Sequence, residues 1–249
     1  MRYCNALDFK QNADLGGMLK FFGLIPARGG SKGIPRKNLV DFGGRPLIAS
    51  TLEAGLRSDF LDSVDVSTDD DEIFETVLEH GLKHSRRRPA ELAQDDSTAV
   101  DVVLDFFKWK ADGIADDDFL VYLQPTSPLR NSSHIDDAIE HLKSTQALSL
   151  VSVHQVSESP YESIVGSSED WDFVRTPPEG AHNRQDYKEK FYFINGAIYI
   201  VQVGEFKKYQ KFINRDSTAI WEMPAKYGVD IDSPQDLEYA RWLFEKEKI

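Results

Sequence analysis

Ile25-Pro26-Ala27-Arg28-Gly29-Gly30-Ser31-Lys32-Gly33-Ile34-Pro35-Arg36-Lys37-Asn38 continues directly from an apolar run at residues 21–25. An apolar strand that empties into a glycine-bearing loop puts that loop at the strand's C-terminal end, where open α/β sheets bind their ligands. Arg28, Lys32, Arg36 and Lys37 crowd this loop, although the whole chain of 249 residues carries a formal charge of -13. Glycines let backbone N–H groups approach phosphate oxygens, and the cations neutralise those oxygens. The loop therefore reads as a local polyphosphate site. Its spacing is neither GxGxxG nor GxxxxGK[ST], so it is neither a dinucleotide fingerprint nor a Walker loop. An exposed basic turn is the competing reading of a lone Gly-Gly-Ser-Lys, and the full stretch disfavours it.

Outward from the loop, strand-length apolar runs alternate with amphipathic stretches. Strands are expected at residues 21–25, 63–68, 119–123, 148–153, 196–203 and 219–223. Helices are expected at 46–57, from Asp69-Asp70-Asp71 to about His80, from a cap at Ser97 through Lys110, from Ser132 to about Lys143, and from Ser233 onward. Ser233-Pro234-Gln235-Asp236 combines a capping serine, a proline at the first helical position and an acidic residue three after the cap. This alternation predicts an α/β fold, a mostly parallel sheet with helices on both faces. Residues 18–154 and 195–249 form the core in this reading. Residues 155–194, rich in proline, polar residues and scattered aromatics, make an excursion from it. Residues 1–17 read as a disordered or non-native extension.

The apolar fraction of 41% suffices for a buried core. The net negative charge argues against nucleic-acid and anionic-membrane partners. Cys4 is the single cysteine, which excludes an internal disulfide and a thiolate zinc cluster. With no membrane-length apolar run and no secretory pattern, a cytoplasmic protein is expected.

Further blocks continue the theme. Ala27, Arg28, Ser31, Lys32, Gly33, Lys37 and Asn38 fit the signature Ala-Arg-x-x-Ser-Lys-Gly-x-x-x-Lys-Asn. In order there follow Ser67-Thr68-Asp69, Arg88-Pro89-Ala90-Glu91-Leu92, Gln124-Pro125-Thr126-Ser127-Pro128-Leu129-Arg130, Asn195-Gly196-Ala197-Ile198-Tyr199 and Asp230-Ile231-Asp232. On these residues the chain resembles the cytidylyltransferases that activate N-acylneuraminic acid and related nonulosonic acids. The resemblance implies a Rossmann-like nucleotidyltransferase core that uses CTP, transfers CMP to a nonulosonic acid and releases pyrophosphate. It gives the triphosphate to Arg28 and Lys32, with Lys37 close to the same loop and Gly30 and Ser31 among the nucleotide-binding residues. Cytosine and ribose fall to Asn38, the segment around Ser97, and Gln124, Arg88 joins the nucleotide-binding set, and Gln124, Arg184, Asn195 and Gly196 face the sugar. It also implies that the excursion builds a homodimer, or a tetramer made from it.

Asp230 and Asp232 lie on the same side of an extended chain and could present two carboxylates to one cation. Mg²⁺ suits such a pair, because it takes oxygen ligands from one or two carboxylates plus phosphates and water. An acidic helix start just before Ser233 is the alternative, and the residues alone leave both open; the resemblance favours the metal. Arg28, Lys32, Asp230 and Asp232 are thus the expected catalytic set. One departure stands in the excursion, where Glu162 occupies a position at which the family often carries lysine. Rival readings are an Asp-x-Asp glycosyltransferase, another sugar nucleotidyltransferase and a non-catalytic nucleotide-binding module.

Overall fold

The computed structural model describes residues 19–83, 85–180 and 183–247. The leading segment at 1–17 lies outside the described residues. In chain order the elements are β1 (Phe21–Pro26), β2 (Asp41–Phe42), β3 (Arg45–Pro46), α1 (Leu47–Leu56), β4 (Ser63–Thr68), α2 (Asp71–Glu79), β5 (Arg86–Arg87), α3 (Ala99–Trp109) and β6 (Phe119–Tyr122). There follow α4 (Ser132–Thr145), β7 (Ser149–Gln155), β8 (Ile164–Gly166), β9 (Trp171–Phe173), β10 (Tyr192–Gln202), α5 (Val203–Tyr209), β11 (Thr218–Glu222) and α6 (Pro234–Glu247).

The main sheet has 7 strands in the order β11-β7-β10-β6-β1-β4-β5. Every neighbouring pair is parallel except those made by β10, which runs antiparallel to both β6 and β7. The expected mostly parallel sheet is therefore present, with one reversed strand inside it. Side chains alternate across β1, and the packing follows that alternation. Phe21 and Ile25 meet α1, α2 and α4 through residues such as Leu52, Ile73 and Ile139. Phe22 and Leu24 meet α3 and α5 through Val103, Phe106 and Phe206. Both faces are thus covered. Each such fully buried side chain stabilises the fold by about 1.5–3 kcal/mol relative to exposure. A third cluster, built from Ile34, Phe42, Leu129, Ile231 and Leu243, anchors α6 beside the basic loop.

Local starts differ from the sequence expectation in physically simple ways. Thr98, not Ser97, caps α3, in a reciprocal capping box with Asp101. Asn131, one residue before Ser132, caps α4. In both places two adjacent residues are competent caps, and packing chooses between them. β10 begins at Tyr192 and Val203 already belongs to a helix, so the expected strand at 196–203 is displaced toward the N-terminus. The excursion contains the antiparallel hairpin of β8 and β9, whose three-residue strands are too short to show a period. Among the described residues no helix is long and apolar enough to cross a membrane.

Candidate active site

The C-terminal ends of β1 and β6 open on a cleft of about 330 Å³ lined by Arg28, Gly30, Ser31, Lys32, Lys37, Asn38, Arg88, Ser97, Gln124 and Asp232. All the residues expected to hold the nucleotide thus line one cavity. The loop after β1 keeps its shape through polar contacts to its backbone: Asp69 Oδ1 accepts from Gly29 N at 3.0 Å, and Asn38 Nδ2 donates to the Arg28 carbonyl at 2.9 Å. Arg36 takes the left-handed conformation, with φ of 51°, and pairs with Asp70 and Glu72 at the start of α2. It is a strut, whereas Arg28, Lys32, Lys37 and Arg88 are the cations that line the cleft. Gly33 approaches the Asp232 carbonyl so closely that a Cβ would collide with it. The basic loop and the acidic segment are therefore in direct contact.

Arg28 Nη1 lies 3.1 Å from Asp95 Oδ1, and Lys32 Nζ lies 3.3 Å from Asp95 Oδ2. One carboxylate thus spans both cations. The hydrogen bond from Lys32, then the Arg28 guanidinium, holds the Asp95 carboxyl below its ordinary pKa. Sequence reasoning passed over Asp95, whose only signal is an Asp95-Asp96 pair beside Ser97.

Arg88 is 7% exposed, and its guanidinium donates to Ser67 Oγ at 3.1 Å and to the Ser67 carbonyl at 2.7 Å. Burial lowers its pKa. Ser97 Oγ donates to the Glu91 carbonyl and accepts from Gln94 N, so it shapes the turn that carries Asp95. Tyr122, buried in the cleft wall, has its phenol pushed above the ordinary range by burial.

Asp230 and Asp232 flank the fully buried Ile231. Ser233 and Asp236 cap α6 by themselves, since Asp236 N donates to Ser233 Oγ and Ser233 N donates to Asp236 Oδ2. The carboxylates of Asp230 and Asp232 are thus spared capping duty. Asp230 has its acidity weakened, first by burial, with the charge of Asp232 adding to it, and its Oδ1 is buried without a hydrogen-bond partner. Lys37 Nζ donates to Asp232 Oδ1 at 2.9 Å.

Asn195 and Gly196, expected on the sugar side, lie at an irregularity in β10, where the register with β7 shifts between Ile194 and Tyr199. Asn195 Oδ1 accepts from Ser152 Oγ at 2.6 Å and from Ala197 N at 3.1 Å, filling the interrupted ladder. Gly196 has φ of +75°, and a Cβ there would stand 2.6 Å from Gln124 Oε1 and 3.9 Å from Asp230 Oδ2. Bulges of this kind re-aim a chain beside functional sites. The side chain of Arg184 lies outside the described residues.

Residues 22–247 match the family described as Cytidylyltransferase. The chain is 34% identical to an N-acylneuraminate cytidylyltransferase of Streptococcus agalactiae over 86% of its own length and 50% of the relative's. It spans about half the length of the N-acylneuraminate cytidylyltransferases from that species that it matches. It is 32% identical to a pseudaminic acid cytidylyltransferase of Campylobacter jejuni, covering 89% of this chain and 94% of the relative. A CMP-N,N'-diacetyllegionaminic acid synthase of Legionella pneumophila is also 32% identical, with 91% and 97% covered. A solved CMP:2-keto-3-deoxy-manno-octonic acid synthetase, complexed with CTP, shares the fold with a TM-score of 0.65 at 21% identity, covering 92% of this chain and 99% of that one. With the match extending from β1 to the last turn of α6, and relatives at 32–34% identity along most of its length, this chain belongs to the cytidylyltransferase family.

Proposed function

We propose that this protein joins CMP from CTP to a nonulosonic acid and releases pyrophosphate, acting in the cytoplasm as a homodimer. The observation that carries the reading is the convergence of Arg28 and Lys32 on one anion at the mouth of the cleft. Cations fixed before the substrate arrives stabilise charge that develops during transfer without reorganising. Arg28, Gly30, Ser31, Lys32 and Lys37 take the triphosphate in this reading. Asn38, Arg88 and the turn at Ser97 shape the pocket for cytosine and ribose; Gln124 stands between nucleotide and sugar, and Asn195 and Gly196 form the sugar side. The sugar's anomeric hydroxyl attacks the α-phosphorus, a P–O bond forms there, and the bond to the departing pyrophosphate breaks in line. Positioning and charge neutralisation suffice, and no covalent enzyme intermediate is required.

The acidic segment fits Mg²⁺. Its donors are hard carboxylate oxygens, and Asp230 Oδ1 is buried without a partner. No third acidic, histidine or cysteine ligand joins them among the described residues, which suits an ion that completes its shell with phosphate oxygens and water. Bound there, the ion would neutralise phosphate charge.

The homodimer rests on the excursion, where Ile164, Val165 and Trp171 are 61%, 60% and 53% exposed. Apolar groups this exposed and this close together are typical of a covered surface. Arg184 is the sugar-carboxylate ligand in this reading, because guanidinium matches a carboxylate with two parallel bonds. The test fixes CTP and varies the sugar among N-acetylneuraminic, legionaminic and pseudaminic acids, with pyrophosphate release as the readout. Release with at least one of them is expected, and no release with any of them overturns the proposal.

A further inference from the structure

Arg130 closes the Gln124 to Arg130 stretch and is 2% exposed, the largest of the fully buried side chains. Long cations almost never go fully inside without an ionic partner. Its Nη1 donates to the Ala197 carbonyl at 2.7 Å and to the Gln124 carbonyl at 3.2 Å, and its Nη2 donates to Thr51 Oγ1 at 2.6 Å. All three acceptors are neutral. Burial alone pulls the guanidinium down to a pKa of about 9, and its Nε finds no acceptor among the described residues. Such an arrangement is a weak stabiliser, since a well-packed apolar side chain of similar volume often serves a fold as well or better.

What the guanidinium does provide is geometry. Its acceptors lie on three separate pieces of the molecule: α1 at Thr51, the end of β6 at Gln124, and β10 at Ala197. Ala197 falls within the stretch where β10 and β7 lose register, so its carbonyl takes a bond from the planar fork in place of a regular ladder. Gly196, next to Ala197, faces the Gln124 side chain, and a Cβ there would stand 2.6 Å from Gln124 Oε1 and push it aside. One nitrogen, Nη1, joins the two carbonyls, and the rigid planar fork fixes that nitrogen relative to the Nη2 bond to Thr51 on α1, which a flexible ammonium cannot reproduce.

We infer that Arg130 is a positioning residue that sets the spacing between Gln124 and the β10 bulge, and with it the sugar side of the cleft. The inference rests on the assignment of Gln124 and Gly196 to the sugar acid made above. Arg130→Lys keeps the charge and loses the fork, whereas Arg130→Met fills the volume and loses both. In each, the KM for the sugar acid is expected to rise on the order of tenfold to a hundredfold, the scale of a small misplacement in a site. The KM for CTP, and CTP binding measured by calorimetry, should change much less than the KM for the sugar acid, because Gln124 alone of the nucleotide-side residues takes one of these contacts and the basic loop takes none. If Arg130→Met does not fold, Arg130→Lys carries the test alone. A loss that falls equally on both substrates, or only on kcat in proportion to folded protein, assigns Arg130 to the fold and overturns the inference. Wild-type protein that binds CTP but releases no pyrophosphate with any nonulosonic acid removes the underlying assignment instead, and the inference goes with it.

Discussion

Lys37 joins the basic loop to the acidic segment: its Nζ donates to Asp232 Oδ1 at 2.9 Å across 195 positions of chain. The same ammonium holds the Ile231 carbonyl at 2.7 Å. The loop proposed to take the triphosphate and the segment proposed to take the metal are thereby set in one frame.

Because the Asp232 side chain is 76% exposed, this ion pair contributes at most about 1 kcal/mol to stability. Asp232→Asn should therefore unfold at nearly the wild-type temperature while turnover falls by on the order of a hundredfold or more. Asp230→Asn should lose activity as severely, and excess magnesium should restore part of it in either variant. Pyrophosphate release across a magnesium titration, paired with thermal unfolding, measures both. Variants that keep full activity but melt early would place these carboxylates in the fold instead.

Arg28→Ala and Lys32→Ala are each expected to lower turnover by on the order of a hundredfold, as the removal of one preorganised donor does elsewhere. Both side chains pair with the exposed carboxylate of Asp95, so circular dichroism and melting temperature should hardly change. Near-normal rates in the folded double variant would refute the triphosphate assignment.

His134 supplies a pH dependence of stability. Its Nδ1 accepts from Asn131 N at 3.3 Å at the start of α4, the ring packs against Trp221 and Tyr227, and burial holds its pKa down, with Arg130 adding to burial and Asp137 opposing it. Above about pH 6.5 the imidazole is neutral whether the chain is folded or not, and nothing is lost. Below that value the unfolded chain binds a proton that folded His134 resists, so stability declines as pH falls toward the lower folded value. Melting temperatures at pH 7.5 and 5.5 should drop less in His134→Gln, which keeps an acceptor at the third helical position. Equal drops in both proteins would assign the acid sensitivity to other groups.

Trp171→Glu and Val165→Glu should each convert a dimer to a monomer in sedimentation, with little effect on the core, because both side chains are more than half exposed. Mixing Arg184→Ala subunits with Lys32→Ala subunits should restore part of the activity that each lacks alone. A monomeric wild type, or exchanged mixtures that stay inactive, would contradict a site shared between subunits.

The parts of this molecule that were legible in its letters are those written in one continuous stretch. The run from Phe21 to Asn38 announced both a strand and the basic loop that follows it, and Ser233-Pro234-Gln235-Asp236 announced α6 through its own capping bonds. Strand direction has no such signature: an apolar run at 196–203 looks the same whichever way it points, so the reversal of β10 and its bulge were out of reach. Asp95 and Arg130 were missed because their roles come from partners distant in sequence. An arginine after Pro128-Leu129 is ordinarily a surface residue, and only the fold reveals three oxygens waiting for it.

The reversal of β10 has one more effect. The excursion leaves the core along β7 and returns along β10, and those two strands are hydrogen-bonded neighbours, with Gln155 opposite Tyr192 and Val153 opposite Ile194. Its two stems therefore end side by side. The intervening segment can be shortened, lengthened or swapped for a relative's at a single junction without rethreading any other strand of the sheet.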